Sequence, residues 1–404
     1  MTPKSQSPAL KFVFALLLIL IVAGLVEIGA YITYQTIKIG FFAPNPTLRE
    51  FADELAAQSQ SDNFDARLGW RDTGELGEYD ARTSPDNLSA WSPCVSLYGD
   101  SYIYGLEASP EKAWGNQLAK QLKCKVLNFA VQGYGADQAY LKFSDKTSDP
   151  SKLAILGVVS ENIVRNVNQN RAFIYPAVVG PLKPRFRLDD AHQLELVPMP
   201  TINASSYDDY IHHSERLFPY EFFIPGSSLY AQQRVGFPYS VRLLLGLRYK
   251  RIYDSLLFYI FWSRPWFADF YDPAHSSRAF EVTSKIIDRF VSDAKRREKV
   301  PIVMFVPTSR DVGNFLVSNQ WVYQGLVQKC LEAGYNCFDA GTAMVDEIHL
   351  TRSTAGGFCQ YFCTSPLTYS GHYTDKGYAL LADVTAHYLG KFMRVPRDLS
   401  AKSN

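Results

Sequence analysis

Three short apolar runs in the first half of the chain, residues 95–98, 125–131 and 153–159, each end in small or polar residues. Gly99-Asp100-Ser101 closes the first, Gly133-Tyr134-Gly135 the second, and Glu161-Asn162 follows the third. Helix-period stretches at 113–122 and 136–143 separate them. Short apolar runs alternating with helical stretches over tight connections predict a β-α-β-α-β unit, a parallel sheet covered by helices. The pattern resumes later. Residues 280–297 read as an amphipathic helix with Ile286, Ile287, Phe290, Val291 and Ala294 in phase. A strand at 301–306, a helix at 321–333, a short strand at 336–339 and a last helix at 375–392 follow, the last preceded by Gly371-His372. No internal repeat is evident.

Residues 12–34 are apolar apart from Glu27 and a few small or hydroxyl side chains. As a helix they span about 35 Å, enough for a bilayer core of about 30 Å. The run is long for a signal peptide and no clear small-residue cleavage site follows, so residues 1–39 read as an uncleaved transmembrane signal anchor. Flanking charges do not orient it: Lys4 and Lys11 precede the span, Lys38 and Arg49 follow it. Cysteine usage does. The six cysteines, an even number, suit an oxidising compartment, which places the chain beyond residue 40 outside the cytoplasm in a single-pass protein. Six free buried thiols in a cytosolic domain is the rival reading. A zinc site lacks the second closely spaced cysteine pair it needs.

The 41 Lys and Arg balance 40 Asp and Glu, a net charge of +1 that makes no case for a nucleic-acid partner. Residues 40–92 read as a stalk or lead-in containing Leu68-Gly69-Trp70-Arg71, residues 93–395 as the α/β domain, and 396–404 as a tail. An insertion at 169–274 divides the domain. It holds 22 of the chain's aromatics, whose total is 6 Trp, 25 Tyr and 26 Phe. It reads either as a helical subdomain with an aromatic core or as a lid or substrate surface at the membrane interface. Arg242, Arg248, Lys250, Arg251 and Asp254 rule against a second span there.

Four positions obey one geometric rule. Ser101, Gly133 and Asn162 follow three successive strands, and His372 precedes the last helix. Loops at the carboxyl ends of the strands of an open α/β sheet line its binding crevice. One edge therefore offers a hydroxyl, a backbone N–H, a side-chain amide and an imidazole. These are the parts of acyl transfer: a serine needs a base to take its proton, and the tetrahedral intermediate needs preorganised donors for its oxyanion. Asp100 and Glu161 read as local hydrogen-bonding groups. The tripeptides Asn87-Leu88-Ser89 and Asn203-Ala204-Ser205 fit glycosylation acceptors.

The ordered set resembles the SGNH/GDSL serine hydrolases. The resemblance rests on Gly99-Asp100-Ser101, on residues 128–138 around Gly133, on Ser160-Glu161-Asn162 and on Gly371-His372 with the following 373–378, and covers roughly half of the chain. It implies a flavodoxin-like three-layer α/β/α fold with strand order 2-1-3-4-5, and hydrolysis or transfer of an ester-linked acyl group. Membrane-anchored members look like enzymes that edit acetyl groups on cell-surface polysaccharides. Ser101 would be nucleophile, His372 base, and Gly133 and Asn162 oxyanion donors. No metal or organic cofactor is implied; the partners would be an acylated carbohydrate or other ester and a membrane. The family usually has Asp three residues before the histidine, where this chain has Tyr369. The orienting acid would then come from elsewhere, or a backbone carbonyl would hold the imidazole. Asp346-x-x-His349 has the right spacing but lacks the following helix pattern, so His372 is preferred.

In the implied strand order, Cys94 and Cys124 precede neighbouring parallel strands, about 4.8 Å apart, and are expected to pair. Cys330–Cys337 and Cys359–Cys363 are the remaining simple pairing. Four readings stay open: an esterase, a polysaccharide O-acetyltransferase, a lipid esterase, and a silent binding protein whose missing Asp explains its silence.

Overall fold

Five strands form one parallel sheet: β1 (Pro93–Tyr98), β2 (Lys125–Asn128), β3 (Leu153–Val159), β4 (Val300–Val306) and β5 (Cys337–Asp339). Their order from one edge is 2-1-3-4-5, the order the resemblance implies. This is a computed structural model, describing residues 8–38, 40–42, 46–60, 62–72, 74, 76–82, 91–175, 182–224, 230, 233–351 and 357–393. Asn87 and the tail at 396–404 lie outside the described residues.

β3 sits at the centre and is buried at every position, as a strand covered on both faces must be. Val95 of β1 lies between Val126 of β2 and Leu153 of β3. On the far side β4 keeps unbroken register with β3, from Val300 opposite Leu153 to Val306 opposite Val159. Helices Ala136–Asp145 and Ala279–Arg296 pack together on one face; Trp114–Leu122, Ala340–Glu347 and Asp375–Met393 pack on the other. The three layers are therefore α/β/α.

Among the described residues, several helices fall outside the sequence expectations, including Leu48–Gln60 in the lead-in and two that follow strands of the sheet. Ser309–Ser318 follows β4 and opens with a capping box, in which the Thr308 N–H donates to Asp311 Oδ2 at 2.7 Å. Ala340–Glu347 follows β5 and is capped by Asp339. Both are short, and neither carries enough in-phase apolar residues to stand out.

The insertion is not helical throughout. Arg185–Leu188 and Leu194–Val197 form an antiparallel hairpin, with Phe186 opposite Leu196 and Leu188 opposite Leu194. Period-two alternation places Phe186 and Leu188 in the core while Arg187 projects outward. Phe222, Phe223, Tyr230, Trp266 and Phe270 cluster beside it; Phe223 and Phe270 stack at 5.4 Å.

The N-terminal helix, Pro8–Ile37, is long and apolar enough to cross a membrane. Its far half meets two insertion helices, Tyr239–Gly246 and Lys250–Phe261. Glu27 accepts backbone N–H bonds from Tyr239 at 2.7 Å and Ser240 at 3.2 Å, and Tyr259 Oη donates to Thr36 O at 3.1 Å. A carboxylate in an otherwise apolar run thus caps a neighbouring helix.

Cys94 and Cys124, Cys330 and Cys337, and Cys359 and Cys363 stand at disulfide distance, with Cα separations of 5.8, 6.1 and 4.6 Å. The first pair joins the amino ends of β1 and β2, the edge opposite Ser101.

Candidate active site

β1 ends at Tyr98, and the chain turns directly into a one-turn helix, Ser101–Tyr104. Asp100 caps it, accepting the Tyr102 N–H at 2.9 Å. Ser101 is thereby held at the carboxyl edge of the sheet. Asp100 is wholly buried, and burial pushes its carboxyl up, against the pull of Arg165, the Tyr102 N–H and Asn162.

His372 reaches Ser101 from the other end of the chain. Its Nε2 lies 2.8 Å from Ser101 Oγ, hydrogen-bond distance for a base and its nucleophile. The loop that carries it is pinned at several points. Tyr102 Oη donates to Gly371 O at 3.0 Å, the Thr364 N–H donates to His372 O at 3.0 Å, and Tyr373 Oη donates to Pro307 O at 2.5 Å. Gly371 has φ +84, and a Cβ there would sit 2.1 Å from Thr364 Oγ1. Only glycine fits that turn. The Cys359–Cys363 pair lies just upstream.

The other ring nitrogen, Nδ1, lies 3.1 Å from Glu107 Oε1. Glu107 follows Ser101 on the next loop, itself at φ +70. Burial pushes its carboxyl up, but hydrogen bonds from Thr364 and His372 and the imidazole's charge outweigh this and hold it below its usual range. Serine, imidazole and carboxylate thus stand in line. Sequence reasoning missed Glu107, because this acid comes from the loop just after the serine's one-turn helix and matches no spacing rule relative to the histidine. The available signal was an acidic residue in a short loop at the correct sheet edge. Tyr369 does not replace it. Its backbone carbonyl accepts from Ser309 Oγ at 2.7 Å, and its ring stacks on Phe358 at 5.7 Å.

The alternative histidine, His349, is exposed at the end of helix Ala340–Glu347, its N–H bonded to Asp346 O.

Gly133 follows β2 with φ +80. The backbone there favours glycine, and a Cβ would meet Arg171 Nη1 at 2.7 Å and displace that side chain. Trp70 Nε1 donates to Gln132 O at 2.9 Å and Tyr134 Oη donates to Trp70 O at 2.6 Å, clamping this loop to the segment before the domain. The lead-in at this point is packed on the domain and is not a free stalk.

Asn162 follows β3 and is buried. Its Nδ2 donates to Asp100 Oδ2 at 3.1 Å. An amide nitrogen carries two hydrogens, so one remains after Asp100 takes its share. Glu161 accepts from Tyr175 Oη at 2.7 Å, a local bond of the kind expected. Arg165 donates to Tyr134 O at 3.0 Å and lies 3.5 Å from Asp100, tying the second and third loops to the first.

No family model matches the chain, and no curated protein matches it. Among solved structures it is similar to a lipolytic protein of the G-D-S-L family from Desulfitobacterium hafniense, at 11% identity and a TM-score of 0.35, over 74% of this chain and 100% of that one. It is likewise similar to a member of the lipolytic G-D-S-L family from Veillonella parvula, at 10% identity and a TM-score of 0.36, over 75% of this chain and 100% of that one. Similarity at this level adds nothing to the geometry. Strand order 2-1-3-4-5 between two helical layers makes the fold a flavodoxin-like three-layer α/β/α, with Ser101, Gly133 and Asn162 following its strands at one edge.

Proposed function

We propose that the protein is a serine hydrolase that cleaves an ester-linked acyl group. The observation that carries this is the 2.8 Å contact of Ser101 Oγ with His372 Nε2, backed by Glu107 at Nδ1. In this reading Ser101 Oγ attacks the ester carbonyl while Nε2 takes its proton. Glu107 holds the ring in the tautomer with hydrogen on Nδ1 and stabilises the imidazolium that forms. The Ser101 and Gly133 N–H groups and the remaining Asn162 amide hydrogen receive the oxyanion. Collapse releases the alcohol, which takes the proton from Nε2. Water then repeats the sequence on the acyl-enzyme and frees the acid. The carboxylate at Nδ1 supports an active site over a silent one.

The setting is the outer side of a membrane, with Pro8–Ile37 as the anchor. The apolar helix and the three cysteine pairs support it. An acetylated cell-surface glycan is the proposed substrate, with hydrolysis preferred over transfer to a second hydroxyl. A lipid ester is the second reading. It is favoured by Phe237, Leu244, Ile260 and Phe261, exposed at 75%, 68%, 58% and 66% in the insertion segment that abuts the anchor.

The test is labelling of the full chain in detergent with a fluorophosphonate probe. Wild type is expected to label, Ser101→Ala to be inert, and His372→Ala to slow by about 10³-fold or more. A folded wild type that takes no label would leave a binding protein on this scaffold. Faster turnover of esters presented in vesicles than of monomeric ones would favour the lipid reading.

A further inference from the structure

Arg171 is a buried guanidinium beside the catalytic edge, only 9% exposed. Its backbone is held firmly. Asn170 caps the short 3-10 turn by accepting the Ala172 N–H at 2.9 Å, and Glu221 accepts the N–H groups of Gln169 and Asn170 at 2.5 and 3.0 Å. The guanidinium lies 5.3 Å from the Trp70 ring and 5.8 Å from the Tyr175 ring. One Nη stands 2.7 Å from where a Gly133 Cβ would be.

Among the described residues this side chain makes no hydrogen bond or ion pair, and its Nε is buried without a partner. Its neighbour differs: Arg165 donates to Tyr134 O and faces Asp100. Glu161, whose field favours the charged form of Arg171, is turned to the Tyr175 hydroxyl. Burial, with Arg165 nearby, pushes Arg171 down to about 10, so it remains a cation at neutral pH. A buried cation with unmet donors is strongly unfavourable unless an anion completes it. With Trp70 and Tyr175 beside it and no partner among the described residues on either Nη, the N–H fork is left to bind a ligand, and that fork matches carboxylate or phosphate.

We propose that Arg171 binds a negatively charged group, carboxylate or phosphate, carried by the substrate close to its scissile ester. The inference rests on the hydrolase reading, since Gly133 borders the ester only in that reading. It deepens that reading by assigning an anionic substrate. Trp70 and Tyr175 act as positioning residues that hold the fork in place.

Three acetyl esters differing only in charge test it: 4-acetoxybenzoate, 4-acetoxyphenyl phosphate and neutral methyl 4-acetoxybenzoate. Each kcat/KM, measured on the full chain in detergent, is divided by the ester's own rate with hydroxide. At least one anion is expected to exceed the neutral ester by about tenfold or more. Whichever anion is favoured names the group. Arg171→Gln is expected to bring the ratio close to one, and Arg171→Lys to leave a reduced preference. A wild-type ratio near one would overturn the proposal. So would an equal loss on all three esters in Arg171→Gln, which would make the guanidinium an oxyanion donor or a prop. If no ester is turned over, the hydrolase reading fails, and calorimetry on Ser101→Ala decides Arg171 separately. Binding of 4-hydroxybenzoate or 4-hydroxyphenyl phosphate, without binding of methyl 4-hydroxybenzoate, supports an anion site. Equal binding or none overturns it. The wild-type ratio and this binding comparison also serve if Arg171→Gln does not fold.

Discussion

Glu107 Oε1 lies 3.1 Å from Nδ1 of His372, although the two residues belong to opposite ends of the domain and share no motif. The carboxylate sits where an aspartate three residues before the histidine would act, and Tyr369 occupies that sequence position instead. Glu107→Gln keeps the shape but loses the charge and permits the wrong tautomer. It should lower kcat by about 10²–10⁴-fold with little change in KM. Steady-state kinetics on an activated ester checks this. A loss below about threefold would mean Glu107 only lines the crevice.

The same pair sets an expectation for pH. Glu107 is held below its ordinary value of 4.5. Its stabilising bond to His372 is therefore present above pH 4.5 and is lost only as pH falls through the lower, folded value. Glu107 itself should not shape the activity profile above pH 4.5. In a kcat–pH titration, Glu107→Gln should lower the plateau above pH 4.5.

Gly133 has both a left-handed backbone and a guanidinium where a side chain would go. Gly133→Ala should cost about 1–2 kcal/mol in backbone strain and displace Arg171. Nothing lies within 4 Å of where a Gly236 Cβ would be, so Gly236→Ala serves as the control. Probe labelling should fall at least tenfold for the first, on an order-of-magnitude estimate, and be unaltered for the second.

Asp311 is buried, and burial raises its carboxyl to about 6 from 3.8 despite hydrogen bonds from Ser160 and Thr308. Between those values the folded chain keeps a proton that the unfolded chain has released. Stability should therefore fall as pH rises through this window, by about 3 kcal/mol from this group, and stay flat above it. Asp311→Asn should reduce the slope without abolishing it, because burial also raises Glu221, to about 7 from 4.5. Urea midpoints at pH 4 and pH 7 for both proteins test the difference; equal slopes would show that Asp311 is not the titrating group.

Cys94 and Cys124 join the amino ends of two strands, closing a loop with a sequence separation of 30. Replacing both by Ser should cost about 3–4 kcal/mol in the chain-entropy account. Because the pair lies at the edge away from Ser101, kcat on an activated ester should hold at temperatures where the variant is folded. Thermal unfolding followed alongside kinetics separates the two effects.

Local sequence determined a good part of this protein. The runs before Ser101, Gly133 and Asn162 had to be strands, because short apolar segments between helical ones have few other ways to bury both faces. The placement of those residues at one sheet edge follows from parallel strands, which all point the same way. The span at 12–34 needed only its length and a run of apolar residues broken by the single charge of Glu27. Tertiary structure decided the rest. Glu107 meets His372, and Arg171 meets Gly133, through contacts between loops far apart in the chain, and no periodicity encodes such distances. Trp70 was placed in a lead-in by composition, yet its ring packs on Tyr134 at 5.4 Å, next to Gly133. Glu27 read as a lone charge near the end of an apolar helix, and its partners, the N–H groups of Tyr239 and Ser240, come from a helix more than half the chain away. Periodicity reports which face of an element is buried; it carries no information about which distant element buries it.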